Sequence, residues 1–367
     1  MAVKIRYKSK IAIIGAGQAG LSAAYHLKNM GLKVGPDFII LDSAPHAGGA
    51  WQSRWDSLTL STVNRIHDLP GMSFEETLAT HNTEVQANSA VPHYFDLYEK
   101  EFGLQVYRPV KVEKVYLQGD RFFIDTTSTA FSVLGIINAT GTWESPFIPE
   151  YPGASLFEGE QLHTRDYTDA AYFKGKHVIV VGGGISAIQL MDQISKVTST
   201  TWVTRRPPEF RKVPFDDMAG SRAVARVEER VRQGLLPQSV VSVTGLPYTP
   251  EIEAMEKRGV LQRFPMFSEI TKTGVKWADG TERKADVIFW NTGFRWPMAH
   301  LDLVVPREEG GGIKMSGRLA TQVAKEPRIH LVGYGPSAST IGANRAGAAA
   351  ARELVKKLGI QELLANN

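Results

Sequence analysis

Twice in this chain a short β-branched run breaks into glycine and leads straight into a helical pattern. Residues 11–20 read Ile-Ala-Ile-Ile-Gly-Ala-Gly-Gln-Ala-Gly, and residues 178–187 read Val-Ile-Val-Val-Gly-Gly-Gly-Ile-Ser-Ala. An apolar run without alternation predicts a strand buried on both faces, the pattern of a parallel sheet. Each run feeds a helix, expected over 21–30 and 185–194, and then a second strand, expected over 37–41 and 200–203. Two βαβ units confine the chain to an α/β fold with two dinucleotide-binding domains.

A second pair of echoes marks the joints. Val133-Leu-Gly-Ile-Ile-Asn-Ala-Thr-Gly141 and Asp286-Val-Ile-Phe-Trp-Asn-Thr-Gly293 are apolar strands that end alike, and the second βαβ unit lies between them. This predicts one domain inserted into another: residues 1–144 and 297–367 form the first, and residues 145–296 the second. Pro146, Pro149 and Pro152 follow the first joint, as a linker would. Alternation over 104–125 predicts a small antiparallel sheet, and Trp277–Thr281 a hairpin turn. Residues 217–234 read as an amphipathic helix of the inserted domain.

Composition narrows the chemistry. Of 367 residues none is cysteine, which removes disulfides, thiolate metal sites and dithiol redox pairs; any redox chemistry must come from a bound cofactor. The net charge of +4 is dispersed rather than gathered into a basic stripe, which argues against nucleic acid. No apolar run nears the ~18 residues of a membrane span. The apolar run after the basic start is too short for a signal peptide, so a cytoplasmic domain is expected.

The first loop, Gly15-x-Gly17-x-x-Gly20 with Gln18 and Ala19, has the spacing that cradles a pyrophosphate at a helix N-terminus. Asp42, 22 residues past Gly20, ends the second strand, where an acid holds a ribose hydroxyl and repels a 2′-phosphate. The second loop, Gly182-x-Gly184-Ile185-Ser186-Ala187, is followed at the matching strand end by Thr204-Arg205-Arg206. Arginine there suits a 2′-phosphate, Arg205 foremost. One acidic and one basic site predict a held FAD and an exchangeable NADPH, with no metal. Gly48-Gly49-Ala50-Trp51 lets the chain pass close to a flavin with Trp51 against it, and Gly335 and Ile341 sit near the start of the last helix. Phe157-x-Gly159-x-x-x-His163-x-x-x-Tyr167, just before the second loop, is the most specific pattern in the chain.

These motifs, in order and spacing, resemble the class B flavoprotein monooxygenases, and the pattern ending in Tyr167 resembles the short bacterial flavin-containing monooxygenases. The resemblance covers almost the whole chain. It implies two Rossmann-like domains of the glutathione-reductase type, with FAD contacts extending to Val112, Thr140 and Gly141 and NADPH contacts to Thr292 and Gly293. It implies that NADPH reduces FAD and that a flavin C4a-hydroperoxide oxygenates thioethers or amines, with weak Baeyer–Villiger activity beside. Trp51, His163 and Ser61 are the residues it places at the chemistry, and a homodimer is its expectation for assembly. Ser61 stands where many relatives carry asparagine, Asn64 following three residues later; leakage of hydrogen peroxide is therefore expected. The competing reading is a flavin reductase or oxidase that passes electrons to O₂, a quinone or a protein without oxygenation. A non-catalytic flavoprotein is a third reading, disfavoured by two intact loops.

Overall fold

The computed structural model describes residues 6–63, 66–79, 82–212, 217–238 and 245–360. The chain divides into two compact units. The first comprises Met1–Gly141, Val224–Ser239 and Trp296–Asn367, and the second Thr142–Ala223 and Val240–Arg295. Residues 224–239, expected in the inserted domain, thus belong to the first unit, and the helix Asp217–Arg232 contains the boundary. Its buried Val227 and Val231 explain why: an amphipathic pattern shows that a helix has a partner, not which partner.

In the first unit five parallel strands run in the order Glu326–Leu331, Gly135–Asn138, Ile11–Ile14, Phe38–Leu41, Val106–Tyr107. Two short antiparallel strands, Gln322–Val323 and Met315–Ser316, extend one edge. The three central strands are buried throughout, and alternate residues enter different cores. Ile11, Ile13, Phe38, Ile40 and Ile137 pack under the helices Gln18–Asn29 and Thr340–Lys357. Ala12, Ile14, Ile39, Leu41 and Ile136 face Val115, Phe122, Ile124 and Phe131 of an antiparallel sheet on the other face. The expected strand over 133–138 is two strands in two sheets, Ala130–Val133 and Gly135–Asn138. Gly347 lets the two helices meet closely, since a Cβ there would lie 2.8 Å from the Ala19 carbonyl oxygen.

The second unit repeats the plan. Its parallel order is Arg263–Phe264, Thr200–Val203, Val178–Val181, Val287–Trp290, Glu160–His163. Helix Ile185–Ile194 follows the central strand, and the sheet Glu269–Thr271, Gly274–Lys276, Glu282–Lys284 supplies Ile270 and Val275 to the core. The expected hairpin closes with Trp277 N–H donating to Thr281 at 2.8 Å. Among the described residues no helix is long and apolar enough to cross a membrane.

Candidate dinucleotide sites

Register aligns the first site. Tyr107, Leu41, Ile14 and Asn138 form one cross-strand row, so Arg108, Asp42, Gly15 and Ala139 emerge together at the carboxyl ends of the strands. Open α/β sheets bind ligands at that end. Gly15 has φ +99°, and a Cβ there would lie 2.4 Å from the Ala139 carbonyl oxygen. A Cβ on Gly20 would lie 1.9 Å from the Gly15 carbonyl oxygen, so helix and strand touch through their backbones. Gly17 faces open space, and the helix it starts has no side-chain cap. Its first amides are therefore left for an anion. Gly49 completes the approach, a Cβ on it lying 3.1 Å from the Gly17 Cα.

Asp42 is held rather than merely present. Its Oδ2 accepts from Ala16 N–H at 3.2 Å and from Arg108 at 3.4 Å, and its Oδ1 accepts from Ala44 N–H at 3.0 Å. A carboxylate offers about four lone-pair sites, so one on Oδ1 remains for a ribose hydroxyl. Arg108 in turn makes a two-pronged bond with Glu99, both contacts at 2.7 Å. Burial pushes the Glu99 carboxyl up despite the pull of Arg108. The sequence reading missed both residues: one arginine 66 positions beyond Asp42 has no spacing signature.

Gln18 donates to Asn344 at 2.9 Å and to the His67 carbonyl at 3.1 Å, tying the first loop to the last helix. Thr140 accepts from Asn138 at 3.1 Å, and Asn138 bonds the half-buried His300 at 2.9 Å. Gly335 packs against Val231, and Ile341 is exposed at the start of the last helix. Trp51 is half-buried in the short helix Gly49–Ser53. Val112 begins an antiparallel strand and Gly141, at φ +63°, ends the first segment of the unit. Ser61 is exposed, its hydroxyl on Thr59 at 2.7 Å. Asn64 lies outside the described residues.

The second site copies the first with changed chemistry. Val203, Val181, Trp290 and His163 form the row, so Gly182, Thr204 and Asn291 emerge together. Gly182 has φ +138° with Asn291 pressed against it; Gly184 is open, and the helix from Ile185 through Ser186 and the buried Ala187 is again uncapped. Register puts Thr204, not Arg205, in the place of Asp42. Thr204 is buried, accepts from Arg263 at 2.7 Å and donates to the Arg206 carbonyl at 2.8 Å. The side chains of Arg205 and Arg206 are exposed.

The fingerprint around His163 is tied into its surroundings by hydrogen bonds. Strand Glu160–His163 is the sheet edge. His163 is 1% exposed; its Nδ1 accepts from Arg165 N–H at 3.2 Å, which leaves Nε2–H to donate to the Gly293 carbonyl at 2.9 Å. Burial holds its pKa below the ordinary value. Both ring nitrogens are thus engaged by backbone groups. Tyr167 donates to Gln193 of the helix after the second loop at 2.8 Å. Thr292 donates to the Phe147 carbonyl, and Phe147 N–H donates to Gly293 at 3.0 Å, pairing the two linkers.

Residues 12–316 match the family model of the pyridine nucleotide-disulphide oxidoreductases. A flavin-containing monooxygenase from Stenotrophomonas maltophilia shares 32% identity over 96% of this chain and 99% of its own, with a TM-score of 0.78. The uncharacterized oxidoreductase CzcO of Bacillus subtilis is 27% identical over 82% of this chain and 86% of its own. Bacillithiol disulfide reductase Bdr from Bacillus cereus shares the fold at a TM-score of 0.70 and 19% identity. FAD and NADPH are the cofactors of the flavin monooxygenases in this family. The chain belongs to the pyridine nucleotide-disulphide oxidoreductase family, and within it to the class of the flavin monooxygenases.

Proposed function

We propose that the protein is an NADPH-dependent flavoprotein monooxygenase of small thioethers and amines, with weak Baeyer–Villiger activity beside. FAD sits at the Gly15–Gly20 loop of the first unit and NADPH at the Gly182–Ala187 loop of the second. The observation that carries this is the asymmetry of two otherwise matching strand ends. Asp42 occupies one, with an acceptor left over; Thr204 takes the same register position in the other, with Arg205 and Arg206 exposed beyond it. The acid selects a plain ribose and the arginines a phosphorylated one.

When bound, FAD accepts hydride from NADPH and supplies the oxygen-transfer chemistry with O₂. The chain's own work is placement. The uncapped helix starting at Gln18 neutralises one pyrophosphate and the helix starting at Ile185 the other. Absence of cysteine rules out the dithiol exchange after which the family is named. A cytoplasmic location and a homodimeric assembly go with this reading.

One observation favours the oxidase reading as second. Ser61, where asparagine is expected, has its hydroxyl on Thr59. The deciding experiment is anaerobic reduction of the purified yellow protein by NADPH, followed by mixing with O₂ with and without a thioether. Sulfoxide at the expense of hydrogen peroxide supports the monooxygenase. Peroxide equal to NADPH under both conditions supports the oxidase.

A further inference from the structure

Three charged groups meet at the carboxyl end of the first sheet. Arg108, Asp42 and Glu99 are 12%, 9% and 11% exposed in their side chains, far below ordinary surface charges. The chain around them is closed by backbone bonds: Asp42 N–H donates to Tyr107 at 3.0 Å and Val110 N–H donates to Asp42 at 2.7 Å. Arg108 is thereby fixed at the apex of a loop clamped on both sides to the residue it neutralises. A cleft of about 430 Å³ opens beside it, with Arg108, Pro45, His46, Pro92 and His93 among its walls. The buried Nε of Arg108 has no hydrogen-bond partner among the described residues.

We infer that Arg108 and Glu99 form a positioning couple that orients Asp42 toward the ribose of the adenosine half of FAD, with the Arg108 guanidinium walling the adenosine cleft. The inference rests on the flavoprotein reading above. Glu99 pins the fork of Arg108 by two bonds, so the third contact, to Asp42, is made from a fixed platform. That contact and Ala16 N–H hold Oδ2, which turns the remaining lone pair of Oδ1 outward. The triad sums to −1, so it accepts a ribose hydroxyl and disfavours a further phosphate. Lysine would keep the charge and lose the fork.

The test is fluorescence titration of the deflavinated full-length protein with FAD and, separately, with FMN, which lacks the adenosine half. Arg108→Lys is expected to raise the FAD Kd three- to tenfold and Arg108→Gln ten- to a hundredfold, with the FMN Kd moved less than twofold in both. An FAD Kd unchanged in either variant overturns the inference. So does a loss for FMN equal to the loss for FAD, which would make Arg108 a prop of the whole unit. Wild-type protein that takes up no FAD overturns the flavoprotein reading itself; wild-type protein that binds FAD no better than the variants overturns only the inference.

Discussion

The Nε2 of His163 lies 2.9 Å from the carbonyl oxygen of Gly293, a partner 130 residues along the chain. The same oxygen accepts from Phe147 N–H at 3.0 Å. One carbonyl thus joins the sheet edge of the second unit to both linkers, and the imidazole is the part that can be removed without cutting backbone. His163→Ala is expected to lower stability by ~1–3 kcal/mol and raise the NADPH KM, leaving flavin content unchanged. His163→Gln, which keeps a donor, should recover part of both. Thermal unfolding and steady-state kinetics read this out; a collapse of kcat with stability and KM intact would restore a role in proton transfer.

Glycines in the first loop differ in what a methyl group would do. Gly20→Ala forces a carbon to within 1.9 Å of the Gly15 oxygen and is expected to cost at least ~1–3 kcal/mol of stability together with bound flavin. Gly17→Ala meets no protein atom within 4 Å. It should fold with a near-normal melting temperature yet lose flavin if, as we propose, the space it fills is that of the FAD pyrophosphate. Equal stability losses in the two variants would contradict this division.

Arg205→Ala is expected to raise the NADPH KM by a factor corresponding to ~1.5–3 kcal/mol, with little change for NADH. Arg206→Ala should do less. Equal effects on the two coenzymes would remove Arg205 from the 2′-phosphate site.

Acid should unfold the protein through its buried and half-buried histidines. Burial holds His300 and His330 down to about 4. Because the unfolded value is ~6.5, the unfolded chain takes up protons first. Stability is therefore complete above pH 6.5 and is lost as pH falls from there toward 4, by ~3 kcal/mol for each histidine. His163, His177 and His26, also lowered by burial, act in the same direction. Urea denaturation at pH 7.5, 5.5 and 4.5 should show a steadily falling midpoint, and His330→Asn a shallower fall. A flat profile down to pH 4.5 would contradict the assignment.

Ser61→Asn is expected to lower the peroxide released per NADPH and raise product in step, since the longer amide can reach beyond Thr59. Unchanged or increased peroxide would clear Ser61 of the leak.

Much of the frame was legible because it obeys local rules. Fully apolar runs ending in glycine announced Ile11–Ile14 and Val178–Val181, and helix Ile185–Ile194 and strand Thr200–Val203 fall at the expected residues. What stayed hidden was non-local. The pattern around His163 is specific, but no spacing connects it to its hydrogen-bond partners Gly293 and Gln193. Arg108 reaches Asp42 through pairing of strand Val106–Tyr107 with strand Phe38–Leu41, a register invisible in one sequence, and Glu99 reaches Arg108 from the helix Ala87–Glu101. Thr204 displaced Arg205 from the strand-end position for the same reason: cross-strand rows, not linear order, decide which residue sits there.

The central claim is oxygen transfer, and ¹⁸O₂ tests it most directly. With NADPH, FAD-loaded protein and a thioether, the account predicts a sulfoxide carrying one labelled oxygen, with one NADPH consumed per sulfoxide once the peroxide released is subtracted. NADPH consumption matched wholly by labelled hydrogen peroxide, with no label in the organic product, would contradict it.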